Sequence, residues 1–270
     1  MTDKPIQILL TNDDGIRSPG LWAAAGALSE LGYVHVVAPR DQFSGAGRSL
    51  PSTSDGIITP QQMRVNGKDW TVYSVGGTPA QAILHAICEI LPVRPDLVVS
   101  GINYGENLGV GVTVSGTVGA ALEGAGNGIP SIAVSLETDT SEHLSYSTAV
   151  DFSAAAYFTA LFGQKMLEKK LPIDVDVLKI DVPCDATLKT AWEVTRLSRQ
   201  AYFVPVTPKR DSWDKPEKVG YRRIDELDGS GEDTDVYALR IKRKVAVTPL
   251  SLDLTSRVRL RDFEQLLRGG

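Results

Sequence analysis

The sequence predicts an α/β protein, a mostly parallel sheet with helices on both faces, extended by a C-terminal arm or hairpin and a terminal helix. Three observations carry this. Short apolar runs at residues 6–10, 34–38, 97–99, 132–134 and 175–180 have the length and β-branched content of buried strands. Helical signals fall between them, so consecutive strands are joined by crossovers, which are right-handed and leave the strands parallel. Polar loops follow the first and third strands directly, at the carboxyl edge where open α/β sheets bind ligands.

Each element follows in order. After the strand at 6–10, Ser18 caps a helix whose first turn accepts Pro19. Leu21, Ala24, Ala25, Leu28 and Leu31 form its apolar stripe, Gly32 stops it, and the strand at 34–38 ends at Pro39. A polar loop at 40–49 contains Ser44-Gly45-Ala46-Gly47, and 57–75 reads as short β segments around an Asn66-Gly67 turn. Thr78-Pro79 opens a helix with Ile83, Ile87 and Ile90 on one face. The strand at 97–99 runs into Ser100-Gly101-Ile102-Asn103, then a glycine-rich loop leads to Ser115-Gly116-Thr117 and a small-residue helix at 118–127. A long helix is expected over 147–169. Residues 199–243 are rich in charge and proline, with Tyr202, Phe203, Trp213 and Tyr221 interspersed. That stretch reads as an arm packed on a partner subunit or as a surface flap. A strand at 245–247 and a helix at 262–267 close the chain. The expected organisation is therefore a core at 1–198, the arm at 199–243, and a returning strand and helix at 244–270.

Composition narrows the function. With 42% hydrophobic and 23% charged residues, the chain has an ordinary globular balance. A net charge of −5 argues against sequence-independent binding to a nucleic acid duplex, which needs a basic face. No apolar run reaches the roughly 20 residues of a membrane span, and the N-terminus shows no signal-peptide pattern, so a cytoplasmic protein without membrane contact is expected. Cys88 and Cys184 fit no metal or redox spacing and are expected to be reduced core residues.

The chemistry centres on Asn12-Asp13-Asp14-Gly15. Two ionised carboxylates about 5 Å apart repel by roughly 3 kcal/mol at an effective dielectric of 20, and a bound cation or full hydration must offset that. All four residues also favour turns, so a plain turn is the competing reading. Three polar loops, at 12–15, 44–47 and 103–117, share one sheet edge and offer oxygen donors without a His or Cys set. That suits Mg²⁺, Mn²⁺ or Ca²⁺ rather than zinc or copper. In the second half of the third loop, Ser115 and Thr117 stand at a helix start, where capping it and binding phosphate are compatible roles. The loop is neither a Walker A loop nor a dinucleotide fingerprint. His35 and His85 read as partly exposed packing residues, and nothing in the sequence draws His143 to a site. Lys209, Arg210, Arg222 and Arg223 read as a solvated face of the arm, and Asp253 as a turn or cap.

Taken in order, these motifs resemble the SurE survival-protein family of nucleotidases. The resemblance rests on Asn12-Asp13-Asp14-Gly15, Ser18-Pro19-Gly20, Val37-Ala38-Pro39, Ser44-Gly45 and Ser100-Gly101-Ile102-Asn103. It continues through Asn107-Leu108-Gly109, Ser115-Gly116-Thr117-Val118 and Glu123-Gly124, and returns at Thr248-Pro249-Leu250 and Asp253-Leu254-Thr255. It implies a Rossmann-like fold and a phosphomonoesterase that acts on nucleoside monophosphates, with polyphosphate as a further substrate in some relatives. It also implies one divalent ion, Mg²⁺ or Mn²⁺, on Asp13, Asp14, Ser44 and Asn103, and phosphate contacts from Asn107, Ser115, Gly116 and Thr117. Homodimers or homotetramers that exchange C-terminal elements are implied as well. This chain departs from the family at Val114, where relatives often carry Tyr, and at Ser251, where some carry His. The expected chemistry is metal-assisted hydrolysis with Asp13 or Asp14 handling the water. The rivals are a covalent aspartyl-phosphate route, whose Asp-x-Asp-x-Thr/Val pattern Asp13-Asp14-Gly15 does not supply, and a non-catalytic nucleotide-binding module.

Overall fold

The computed structural model describes residues 5–143, 145–224 and 231–269. Its frame is a nine-stranded sheet. At the centre, β1 (Gln7–Thr11) pairs in parallel with β2 (Tyr33–Pro39) on one side and β5 (Leu97–Tyr104) on the other. Beyond β2 lie β4 (Lys68–Val75), parallel to it, and β3 (Ile58–Val65), the antiparallel edge strand of the Asn66-Gly67 hairpin. Beyond β5 come β6 (Ser131–Leu136) and β7 (Val177–Val182), both parallel. The far edge is added by β11 (Val245–Leu250), antiparallel to β7, and β8 (Trp192–Val194).

The helices divide between the faces. On one face α1 (Pro19–Leu28) packs on α4 (Ser153–Glu168), enclosing Ile8, Leu10, Val99, Phe158 and Phe162. On the other, α2 (Pro79–His85) packs on α3 (Gly116–Gly126) over Leu9, Val37, Val98 and Ala120. Burial on both faces explains why β1, β5 and β6 read as continuous apolar runs rather than as alternation. Thr78 and Gln81 form a capping box that fixes the start of α2.

The C-terminal third adds elements beyond the main sheet. A separate hairpin, β9 (Phe203–Val206) with β10 (Gly220–Arg223), occupies part of the stretch read as an arm. It is followed by α5 (Asp235–Arg240), which the charge-rich sequence concealed. Residues 225–230 of that stretch lie outside the described residues. The chain ends in α6 (Leu260–Leu267), which buries none of its residues.

Two expectations need correction. Cys88 and Cys184 are exposed rather than buried in the core. The helix expected over 147–169 begins only at Ser153. Before it, residues 145–147 cross the sheet edge, with the Tyr146 hydroxyl donating to the Asp14 carbonyl at 2.7 Å and the Tyr104 hydroxyl to the Ser147 carbonyl at 2.7 Å.

Candidate metal and phosphate site

β1 ends at Thr11, so Asp13 and Asp14 fall where the backbone leaves the sheet, and the local turn is real. Gly15 N–H donates to Asn12 Oδ1, and Asn12 Nδ2 donates to the Gly15 carbonyl, both at 3.1 Å. The turn reading and the ligand reading therefore coexist, because the Asn12 side chain makes the turn and leaves both aspartates free of it.

The two carboxylates are buried, with 4% of Asp13 and 1% of Asp14 exposed. Asp13 Oδ1 accepts from the Thr117 hydroxyl at 2.5 Å, and the Gly116 and Thr117 N–H groups at the start of α3 also support it. A Cβ on Gly116 would lie 2.7 Å from that of Asp13, so only glycine lets the helix terminus come this close. Asp14 Oδ1 accepts from Gln42 Nε2 at 2.9 Å and Oδ2 from the Tyr104 N–H at 3.1 Å. Burial pushes Asp13 up to about 6 against these donors. Burial, and then the charge of Asp13, holds Asp14 well above the ordinary carboxylate range.

Among the described residues, no lysine or arginine is paired with either carboxylate. Two desolvated acids balanced only by neutral donors form an oxygen-rich site suited to a hard divalent cation. Each Asp14 oxygen accepts one hydrogen bond from the described residues and keeps a lone pair for a metal. A second acidic group, Glu137 with Cys184 and Asp185, lies elsewhere and does not compete. The Arg243 guanidinium fills it, 2.7 Å from Glu137 and 2.5 Å from Asp185, which holds both acids below their usual range.

The remaining sequence candidates gather around this point to different degrees. Phe43 N–H donates to the Asp13 carbonyl at 2.7 Å, and Gly47 N–H to the Val114 carbonyl at 2.9 Å. Ser44 thus sits at the exposed tip of a loop pinned to the β1 end and to the approach to α3. Asn103 ends the bulge in β5 where its register with β6 shifts, and its Nδ2 donates to the Gly105 carbonyl at 2.6 Å, leaving Oδ1 as the available ligand atom. Ser115 caps α3 by accepting from Val118 N–H at 3.1 Å, so the capping reading holds for it. Asn107 is held by others: its Nδ2 donates to Ser135 Oγ at 2.8 Å and its N–H to Asp181 at 2.8 Å. Its N–H, and that of Gly109, point into the protein rather than toward a ligand.

Sequence reasoning passed over three residues near the site. Gln42 bridges Asp14 and the His143 carbonyl, at 2.9 and 2.8 Å. The His143 ring lies against Gly105, where a Cβ would be 2.4 Å from Nε2, and its Nδ1 is 2.9 Å from the Tyr221 hydroxyl of β10. Tyr146 stands over the turn, with Arg17 stacked 5.5 Å from its ring centre. None lies in a motif, and only the fold brings them here.

Fold and site together define an α/β protein with a paired-carboxylate centre facing a helix N-terminus. Comparison with known proteins gives the particular family. The model of the family described as "Survival protein SurE" matches residues 8–203. A 5'-nucleotidase SurE of Thermococcus gammatolerans is 45% identical over 261 residues, covering 97% of this chain and 94% of that one. The one from Thermococcus kodakarensis is 42% identical, covering 97% and 98%. A crystal structure of the SurE protein from Aquifex aeolicus superposes with a TM-score of 0.74 at 33% identity, covering 97% of this chain and 99% of that chain. The chain belongs to the SurE family of 5'-nucleotidases.

Proposed function

We propose that this chain is a divalent-metal-dependent phosphomonoesterase that hydrolyses nucleoside monophosphates, with short polyphosphate as a second substrate. The observation that carries the reading is the buried Asp13–Asp14 pair, without a paired side-chain cation among the described residues, set against the N-terminus of α3. Asp13, Asp14, Ser44 and Asn103 would hold the ion. When bound, Mg²⁺ or Mn²⁺ neutralises phosphoryl oxygens and lowers the pKa of a coordinated water.

The chain's own residues do the rest. Gly116 and Thr117, whose own donors hold Asp13, place the N-terminus of α3 where charge builds on the equatorial oxygens of a transferring phosphoryl group, and the helix dipole favours that charge. Ser115 keeps the first turn of α3 in place. The Asn107 amide, oriented by Ser135, contacts the phosphate from the opposite loop. Asp13 orients the attacking water and takes its proton, a role open to a buried carboxylate placed against the start of α3. Trapping of a phospho-aspartate would favour the covalent route instead.

The exposed α6 and the hairpin β9–β10 support a homodimer or homotetramer, in a cytoplasmic setting. No helix of the described residues is long and apolar enough to cross a membrane.

The deciding experiment is phosphate release from a panel of nucleoside monophosphates and polyphosphates with Mg²⁺, with Mn²⁺ and with EDTA. Turnover restored by metal after EDTA supports the proposal. Tight nucleotide binding without turnover under any metal would make the protein a binding module.

A further inference from the structure

We propose that Lys179 and Asp181 are positioning residues for the phosphate-contacting loop, and that with Asp235 they lock this loop to the base of the arm. The proposal rests on the assignment of Asn107 to phosphate contact made above.

Lys179 and Asp181 lie two residues apart on β7, so their side chains leave the same face of the sheet. Both are fully buried, as is Asp235 at the start of α5. The Lys179 ammonium contacts the Asp181 carboxylate, lies 3.1 Å from Asp235 Oδ2, and donates to the Asn107 carbonyl at 2.9 Å. Asp181 Oδ1 accepts from the Asn107 N–H at 2.8 Å. Both backbone polar groups of Asn107 are therefore held by one pair of charges. Asp235 Oδ2 accepts from Gly109 N–H at 2.9 Å, and its Oδ1 from Ser198 N–H and Val236 N–H, each at 2.9 Å. The backbone N–H of Asp235 itself donates to the Arg196 carbonyl at 2.9 Å.

The topology gives this cluster its meaning. Ser198 and Asp235 flank the part of the charged stretch that carries β9 and β10, and Gly109 is in the loop that follows β5. One carboxylate joins all three. One ammonium faces two carboxylates, and the N–H groups of Gly109, Ser198 and Val236 help to compensate the second. Desolvating such a cluster costs more than filling the same volume with apolar side chains, so stability alone is a weak reason for it. A conformational reason fits better. Gly105 and Gly109 both have positive φ, which leaves this loop a backbone freedom that the clamp removes. The Asn107 amide is then presented at one position, and a displacement of about 1 Å at a catalytic contact can cost on the order of 100-fold in rate.

The test uses the full-length metal-loaded protein and the variants Asp181→Asn and Lys179→Met/Asp181→Asn. The double variant removes one charge of each sign, which keeps the balance of the buried cluster. It is expected to fold and to bind Mn²⁺ with the wild-type affinity. Its kcat on a nucleoside monophosphate should fall by about 10- to 100-fold and inhibition by inorganic phosphate should weaken by about 10-fold. The Asn107 and Gly109 amides should exchange faster with solvent. Asp181→Asn alone, whose amide oxygen still accepts from Asn107, should recover most of the rate. A folded double variant with wild-type kcat, KM and phosphate inhibition would overturn the proposal. So would an equal loss of Mn²⁺ affinity, which would place the damage at the aspartates rather than in the loop. If the double variant does not fold, amide exchange in the wild type decides: protection of Asn107 and Gly109 up to global unfolding supports the clamp, and fast local exchange overturns it. Lack of metal-dependent turnover in the wild type would sink the proposed function, while the exchange data would still report on the clamp.

Discussion

The carboxyl edge of the sheet and the C-terminal segment break the ordinary rule of burial in opposite directions. At the edge, Asn12, Asp13, Asp14 and Thr117 are removed from water, although two of them carry acids. In the C-terminal segment, α6 leaves Leu260, Phe263, Leu266 and Leu267 between 47% and 73% exposed, and Leu254 ahead of it is 91% exposed. The first region conceals charge and the second displays grease, and a single chain in water is expected to do neither without compensation. The lesson is that each region is half of a contact. The proposed function completes the edge with a cation and a phosphate, and the proposed oligomer covers the segment with apolar surface on another copy of the chain.

The comparison breaks most sharply at Asp14. Asp14→Asn removes the charge of a proposed ligand while keeping the hydrogen-bonding shape, so turnover should fall by about 10³-fold or more, the scale for groups that act as a unit at a reacting centre. The metal-free protein should meanwhile become more stable, because the substitution relieves a desolvated charge and its repulsion with Asp13. Kinetics and thermal melts in EDTA check both. Lower activity with lower metal-free stability would mean that the edge is held together by its acids rather than strained by them.

The second region is tested by Phe263→Glu with Leu266→Glu. Leu260, Phe263, Leu266 and Leu267 lie at helical spacing on α6, so charges at 263 and 266 spoil one stripe without touching any buried residue. The expected outcome is a shift of the solution mass to the single chain, read by light scattering, with the melting of the core little changed. A variant that stays oligomeric would show that α6 is not the contact surface.

Smaller in size is a dependence on pH. An Asp with its folded pKa raised, here Asp13 to about 6 and Asp14 also upward, keeps its proton in the folded state after the unfolded chain has lost it near 3.8. Between those values the folded state binds more protons, so the contribution of these groups to stability falls as pH rises from about 4 through 6. A cation cancels that loss. The rise in Tm on adding Mn²⁺ should therefore be larger at pH 7 than at pH 5, and it should lose this slope in Asp13→Asn/Asp14→Asn. Depressed acids elsewhere, such as Glu137, slope the other way, which is why the comparison with the variant isolates the site.

How much of this was legible in the sequence depends on range. β1, α1, β2 and the β3–β4 hairpin were readable because strand composition, caps and an Asn-Gly turn are local signals. The convergence of the Asn12, Ser44 and Ser115 loops followed from a parallel sheet having one carboxyl edge. What stayed hidden is non-local. Gln42 meets Asp14 and His143 through contacts spanning 28 and 101 residues. Lys179 and Asp181 sit in a strand whose neighbours are apolar, and nothing nearby in sequence says that Asp235 answers them from α5. In the glycine-rich loop the backbone N–H groups of Asn107 and Gly109 are taken up by buried carboxylates far away in sequence.

The finest probe of the contrast is Thr117→Val. Its hydroxyl is the only side-chain donor on Asp13 among the described residues, at 2.5 Å, and it lowers the carboxyl pKa against the effect of burial. Valine keeps the shape and removes the donor, so the Asp13 carboxylate loses one charge-assisted hydrogen bond, of about 1.5–3 kcal/mol. The Gly116 and Thr117 N–H groups still face it and take up part of that loss. Activity should drop by about 10-fold, and the acidic limb of the kcat/KM profile should move to higher pH, because Asp13 then holds its proton more tightly. A full pH profile with saturating Mn²⁺ separates the two effects. A rate loss without movement of the limb would make Thr117 a phosphate contact only, and an unmoved rate would remove it from the site.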